Sequence, residues 1–126
     1  KFASPEGLSA ERQQACKTLY DAVVKYPFMV AGTERYCTDM MKVLQQRVFL
    51  KVGAEGVYIA AIPELKLGIA LKCDDGAVRA AESVMTALLD HVGITSFVAE
   101  DIMQRYRSVT LKNWEKRTTG AIVCQI

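Results

Sequence analysis

The sequence predicts an α+β fold: an antiparallel sheet, made of a three-strand meander plus a C-terminal strand, flanked by helices. Apolar residues recur at helical spacing up to residue 46 and again from residue 77, whereas three short runs between them are rich in β-formers or small residues (VFLKV, VYIAAI and LGIALKC). The links GAEG and PELK between these runs are too short for a helical crossover, so neighbouring strands should be antiparallel.

The helices have recognisable starts and stops. The first is expected after Ser9, a typical N-cap residue, and should stop at Pro27. Its apolar stripe consists of residues that recur at helical spacing: Leu8, Ala15, Cys16, Leu19, Ala22 and Val23. A second is expected over AGTERYCTDMMKVLQQ with Thr33 as its cap, and its apolar side carries Tyr36, Cys37, Met40, Met41 and Leu44. A third follows DDGA, where Asp74 and Asp75 suit the positive end of a helix, and a shorter one covers TSFVAEDIMQRYR. The last strand, AIVCQI, is expected to join the sheet.

The most unusual residue of the predicted sheet is Lys51. Side chains alternate between the two faces of a strand, so Lys51 shares a face with Phe49 and Gly53, opposite Val48, Leu50 and Val52. Either this second face is exposed and Lys51 extends from a sheet edge into water, or Lys51 forms the wall of a site. In the second case, Gly53 and Ala54 would let a ligand approach the backbone, and the ammonium could relay a proton or orient a nucleophile.

Two other residues are candidates for the same site. Glu55 lies in the turn after Lys51, where a solvated carboxylate is the simpler interpretation. Cys37 is expected near the start of the second helix, where the dipole favours a thiolate, but its place on the apolar side favours a small buried hydrophobe. These residues alone do not make a complete catalytic set.

Composition excludes several classes of function. The chain has 126 residues, 51% of them hydrophobic, which suits one domain, and its net charge of +2 is too small to indicate nucleic acid or a membrane surface as a partner. No apolar run approaches the ~20 residues of a membrane span. Four scattered cysteines (Cys16, Cys37, Cys73 and Cys124) and one histidine, His91, argue against a zinc site made by this chain alone and suit thiols in a reducing cytoplasm. Two disulfides remain compatible with the count.

Three long motifs carry a resemblance to a known family. MVAGTERYCTDMM, KVGAEGVYIAAIPELKLGIALKCDDGAVRAAE and LKNWEKRTTG resemble the C-terminal part of the bacterial asparaginase II family, the thermolabile asparaginases. The similarity runs from about Pro27 to the end of the chain and is densest from Gly32 to Glu82. The resemblance implies a partial serine β-lactamase-like fold and hydrolysis of L-asparagine to L-aspartate and ammonia through serine–lysine pairs.

The resemblance also implies roles for single residues. Lys51 to Gly53 match the K-T-G strand of lactamases, with Val52 in place of threonine, so Lys51 is the expected catalytic residue, holding a proton and positive charge beside a serine. Cys37 matches a family cysteine that lies near the active site in a supporting role. Gly53, Ala54 and Glu55 are expected to support the same site. No cofactor is expected from this chain. Zinc would bind only in the full-length enzyme, through residues outside it.

The departures from the family pattern shape the remaining expectations. No serine here begins an S-x-x-K motif, and the first residue is lysine, so we expect a C-terminal domain or fragment of a longer cytoplasmic enzyme, inactive alone. Surfaces that met the missing part would be apolar, so a homo-oligomer is expected. A non-catalytic module that binds a small ligand or a partner, or a lactamase-like hydrolase of another amide, are the alternatives.

Overall fold

The computed structural model describes residues 1–124 and 126 and has the predicted α+β architecture. In chain order the elements are α1 (Ala10–Lys25), α2 (Pro27–Ala31), α3 (Tyr36–Val43), β1 (Phe49–Val52), β2 (Val57–Ile62), a 3₁₀ turn (Pro63–Leu65), β3 (Leu67–Lys72), α4 (Val78–His91), α5 (Glu100–Arg107), β4 (Ser108–Lys112) and β5 (Thr118–Val123). They form two compact units. The first comprises Lys1–Gly53 and Tyr58–Ala70, and the second Ala54–Val57 and Leu71–Ile126.

Helix α3 supplies much of the core of the first unit. All five side chains predicted for its apolar side are buried, and Met40, Met41 and Leu44 are fully inaccessible to solvent. The helix begins at Tyr36, three residues after the predicted cap Thr33, because Glu34 adopts a left-handed φ of 54° and turns the chain before the helix. The Tyr36 ring then packs edge-on against Tyr58 of β2 at 5.5 Å between centroids.

Helix α1 has the predicted bounds but not a buried apolar side. It starts after Ser9 and stops before Pro27, as the sequence indicates. Only Val24 is buried along its length, and Leu19 on the predicted apolar stripe is 56% exposed. One anchor is polar: the Tyr20 hydroxyl donates to the carbonyl oxygen of Gln46 at 3.1 Å. Burial and the nearby Glu64 and Asp21 carboxylates raise the pKa of Tyr20 to about 12.

The three-strand meander is confirmed, with strand order β1-β2-β3. Strands β1 and β2 pair antiparallel, with Leu50 opposite Ala60 and Lys51 opposite Ile59. A four-residue link joins β2 to β3, too short for a crossover, so this pair is antiparallel as well. Strand β1 therefore lies at one edge of the sheet that the described residues form.

The second unit corrects the position of the C-terminal strand. The sequence prediction added this strand to the meander, but β5 pairs antiparallel with β4 in a separate two-stranded sheet. The reason is local. Ser108–Lys112 extends directly from the end of α5, and the turn at Asn113 brings the two strands together, with the Asn113 amide bonded to the Arg117 carbonyl oxygen at 3.0 Å. A nearby partner costs less loop-closure entropy than a distant one.

Leu50→Ala should test whether the buried face of β1 holds the first unit together. Leu50 is fully buried, so the truncation leaves a cavity and should lower the free energy of unfolding by about 2–5 kcal/mol. Urea denaturation followed by circular dichroism measures the change. The matched control is Leu19→Ala on α1, where a side chain that is 56% exposed should cost less than about 1 kcal/mol. Equal losses for both variants would contradict this account of the core.

Candidate active site

The structure places Lys51 at the exposed edge of the sheet. Its neighbour Leu50 is fully buried, whereas Lys51 faces solvent, as alternation along β1 requires. The Lys51 Nζ donates to the carbonyl oxygen of Val52 at 2.6 Å. Phe49 lies on the same face but is only 9% exposed, because the Phe2 ring covers it, packing edge-on at 5.4 Å between ring centroids. The exposed part of this face therefore begins at Lys51.

Cys37 lies in the first turn of α3 and is buried, with 1% of its surface exposed. The thiol is thus part of the core of the first unit, which agrees with the prediction from its place on the apolar side. The next residue, Thr38, anchors this turn because its hydroxyl donates to the carbonyl oxygen of Gly32 at 2.7 Å. A supporting role for Cys37 in catalysis stays a prediction.

Gly53, Ala54 and Glu55 form the exposed bend after β1. Gly53 ends the first segment of the first unit, and Ala54 and Glu55 belong to the second unit. Glu55 has a left-handed φ of 56°, which is uncommon for a residue with a side chain. Within residues 1–124 and 126, no group donates a hydrogen bond to its carboxylate, consistent with a solvated turn residue. Its backbone carbonyl oxygen does accept one, from Lys72 Nζ at 2.7 Å.

Sequence reasoning missed the importance of Gly56. It is buried and has a φ of +70°. A Cβ there would lie 3.0 Å from the carbonyl carbon of Gly76, 3.1 Å from the Cβ of Cys73 and 3.2 Å from the carbonyl oxygen of Ala77. Glycine is thus required for two reasons, the backbone conformation and the close approach of another turn. The available signal was the second glycine of GAEG, directly before a strand.

The acidic pair before α4 behaves partly as predicted. The Asp75 carboxylate accepts a hydrogen bond from the Ala77 amide at 2.9 Å and pairs with Arg79 at 3.0 Å, which stabilises the helix start. Asp74 is exposed, and no partner for its carboxylate is found among the described residues. Within that same part of the chain, no three histidine, cysteine, aspartate or glutamate side chains are grouped so that they could hold a metal ion.

Comparison with known protein families shows which family the chain resembles. A family model described as L-asparaginase II matches residues 1–124. The chain belongs to the L-asparaginase II family. The match begins at the first residue, so α1 lies within the similarity, which extends beyond the Pro27 start predicted from the motifs. The family is one of asparaginase-like hydrolases. No curated protein matches the chain. None of the helices in the described part of the chain combines the length and apolarity that crossing a membrane requires.

Gly56→Ala should separate the crowding at this turn from the backbone conformation. Gly7 has a similar φ of +81°, but a Cβ there would meet nothing within 4 Å, so Gly7→Ala is the matched control. Both variants should lose about 1–2 kcal/mol for the left-handed conformation. Gly56→Ala should lose about 1–3 kcal/mol more, because backbone atoms must move. Chemical denaturation of both proteins measures the difference, and equal losses would show that the approach of Gly76 imposes no cost.

Proposed function

We propose that this chain is the C-terminal portion of an amidohydrolase that converts L-asparagine to L-aspartate and ammonia, and that Lys51 is one of its catalytic residues. The supporting observation is a K-V-G sequence on an edge strand, with Lys51 exposed, in a member of the L-asparaginase II family. An S-x-x-K motif is lacking in these 126 residues, so the nucleophilic serine and a second serine would come from outside the chain. The chain alone would then be inactive.

The proposed reaction proceeds in two balanced steps. The serine Oγ attacks the side-chain amide carbon of asparagine, the C–N bond breaks, and ammonia leaves with the proton that Oγ gave up. Water then attacks the resulting ester, giving aspartate and restoring the serine hydroxyl. Lys51 would hold a proton and a positive charge beside the second serine, so that the nucleophile stays activated. Transfer of the Nζ hydrogen bond from the Val52 carbonyl to that serine would make the contact.

The residues next to Lys51 support this assignment. Gly53 and Ala54 are exposed and small, so little side-chain volume would stand between a ligand and the backbone. Glu55 and the buried Cys37 would support the site without touching the reacting atoms. We propose that this chain contributes no cofactor ligand, and that zinc, where it binds, is held by residues outside the chain. A serine β-lactamase-like architecture for the full-length enzyme belongs to the same proposal.

Lys51→Ala in the full-length enzyme should lower kcat about 10²–10⁴-fold, the usual contribution of a positioned proton-transfer group. Ammonia release from L-asparagine measures the rate. Lys51 is exposed, so the melting temperature should stay within a few degrees of the parent's. The control is Lys17→Ala, which removes an exposed lysine paired with Asp21 on α1 at 2.7 Å and should leave kcat unchanged.

Three outcomes distinguish the alternatives. An unchanged kcat for Lys51→Ala would remove Lys51 from the mechanism. An active enzyme that prefers another amide or a β-lactam in a substrate panel would keep the lysine and change the substrate. A full-length gene product without S-x-x-K that binds a small ligand but releases no ammonia would favour a non-catalytic binding module.

We also propose that the isolated chain forms homo-oligomers and that the enzyme is cytoplasmic. All four cysteines are thiols, which suits a reducing compartment. Two large apolar side chains of α2 are exposed, Met29 at 80% and Phe28 at 55%, and such surfaces tend to associate. Sedimentation velocity should therefore show a mass above the 13.9 kDa of one chain, and Met29→Lys should reduce it. A monomer at all concentrations would contradict association.

A further inference from the structure

Two turns in the second unit pack directly against each other through their backbones. The first, Ala54–Gly56, follows β1, and the second, Cys73–Gly76, follows β3. The Cys73 amide donates to the Gly56 carbonyl oxygen at 3.0 Å, and the Gly76 amide donates to the Cys73 carbonyl oxygen at 3.0 Å. Within the first turn, the Val57 amide donates to the Ala54 carbonyl oxygen at 3.3 Å. The motifs GAEG and CDDG, separate in the sequence, are thus brought together.

The packing between the turns leaves no room for a side chain at Gly56. A Cβ on Gly56 would lie 3.0 Å from Gly76, and a Cβ on Gly76 would lie 3.6 Å from the Cβ of Glu55. Both glycines have positive φ, and so does Glu55 between Ala54 and Gly56. A turn that contains a left-handed glutamate needs support from its surroundings to stay in one conformation.

Lys72 supplies this support. Its Nζ donates to the Glu55 carbonyl oxygen at 2.7 Å and to the Cys73 carbonyl oxygen at 2.7 Å, one acceptor from each turn. Hydrogen bonds from an ammonium are shorter and stronger than those between neutral groups, and here one charge joins both turns. None of the residues that the structure describes offers a carboxylate to this ammonium. Within the described part of the chain, this side chain therefore connects two backbone segments and forms no ion pair.

We infer that Lys72 is a positioning residue of the proposed active site: by joining the Glu55 and Cys73 carbonyls, it fixes the bend that directly follows Lys51 and Gly53. The inference rests on the proposed function, since a fixed bend matters for turnover only if the Lys51 strand carries catalysis. Lys72 itself would not touch the substrate. It would act through the conformation of Ala54 and Glu55, the residues next to Gly53 in the chain.

The test compares Lys72→Met with Lys72→Arg in the full-length enzyme. Methionine keeps much of the apolar length but cannot donate, so kcat for asparagine should fall about 10- to 100-fold, as expected when a site is misplaced by about 1 Å. KM should change less than kcat if the bend matters most in the transition state. Arginine can donate to two carbonyls and should restore at least part of kcat. Lys17→Met is the matched control and should leave both constants unchanged.

Hydrogen exchange provides a second readout that does not depend on activity. The amide protons of Val57 and Cys73 are bonded within and between the turns, so Lys72→Met should accelerate their exchange on the order of tenfold, while amides within α3 stay protected. Circular dichroism must show a folded protein for both variants. Arginine should return the exchange rates toward those of the parent.

The outcomes separate this inference from the proposed function. Faster exchange with lower kcat for Lys72→Met, and recovery of both by arginine, would support the positioning role. Faster exchange with unchanged kcat would overturn it and leave a purely structural link, and unchanged exchange would overturn the link itself. A parent enzyme that releases no ammonia from asparagine would overturn the proposed function, and the positioning role with it.

Discussion

The burial of one face of β1 determines what the other face can present. Leu50 is inaccessible to solvent and pairs opposite Ala60, so the strand cannot slip by one residue without moving Leu50 into water and Lys51 into the core. Either change would cost several kcal/mol in a domain whose whole stability is about 5–15 kcal/mol. The exposure of Lys51 at the sheet edge is therefore set by the core residues around it, chiefly the fully buried side chains of α3.

The bend after β1 is held in another way. Side chains fix the strand, whereas backbone contacts and one ammonium fix the turn, because a Cβ at Gly56 would lie only 3.0 Å from the carbonyl carbon of Gly76. This arrangement explains why the motif has a glycine where the two turns meet. It also explains how Glu55 can hold a left-handed φ of 56° although no described residue bonds its carboxylate, since its carbonyl oxygen is anchored by Lys72.

The sequence predicts well the features that depend on local pattern. The period-2 runs and their short links give β1, β2 and β3 to within about one residue, and helical spacing gives the buried side of α3. The sequence pattern does not predict features that depend on contacts with another element of the fold. The alternating residues of Ser108–Lys112 look polar, yet they form β4 because the next turn returns β5 to them. The stripe on α1 has the right spacing but is left exposed. The link from Lys72 to Glu55 spans 17 residues and ends on a carbonyl, which no side-chain pattern reveals.

A lysine on a sheet edge can serve as a proton holder because its present partner is easily exchanged. The Lys51 Nζ donates to the Val52 carbonyl oxygen, an acceptor on its own strand, in an exposed position. This is a single hydrogen bond between exposed groups, so water can take the place of either partner at little cost. Four flexible methylene groups let the ammonium turn from that carbonyl to a serine hydroxyl without moving the strand. Around Lys51 the rigid part of the proposed site is therefore the backbone of β1, and the mobile part is the lysine side chain.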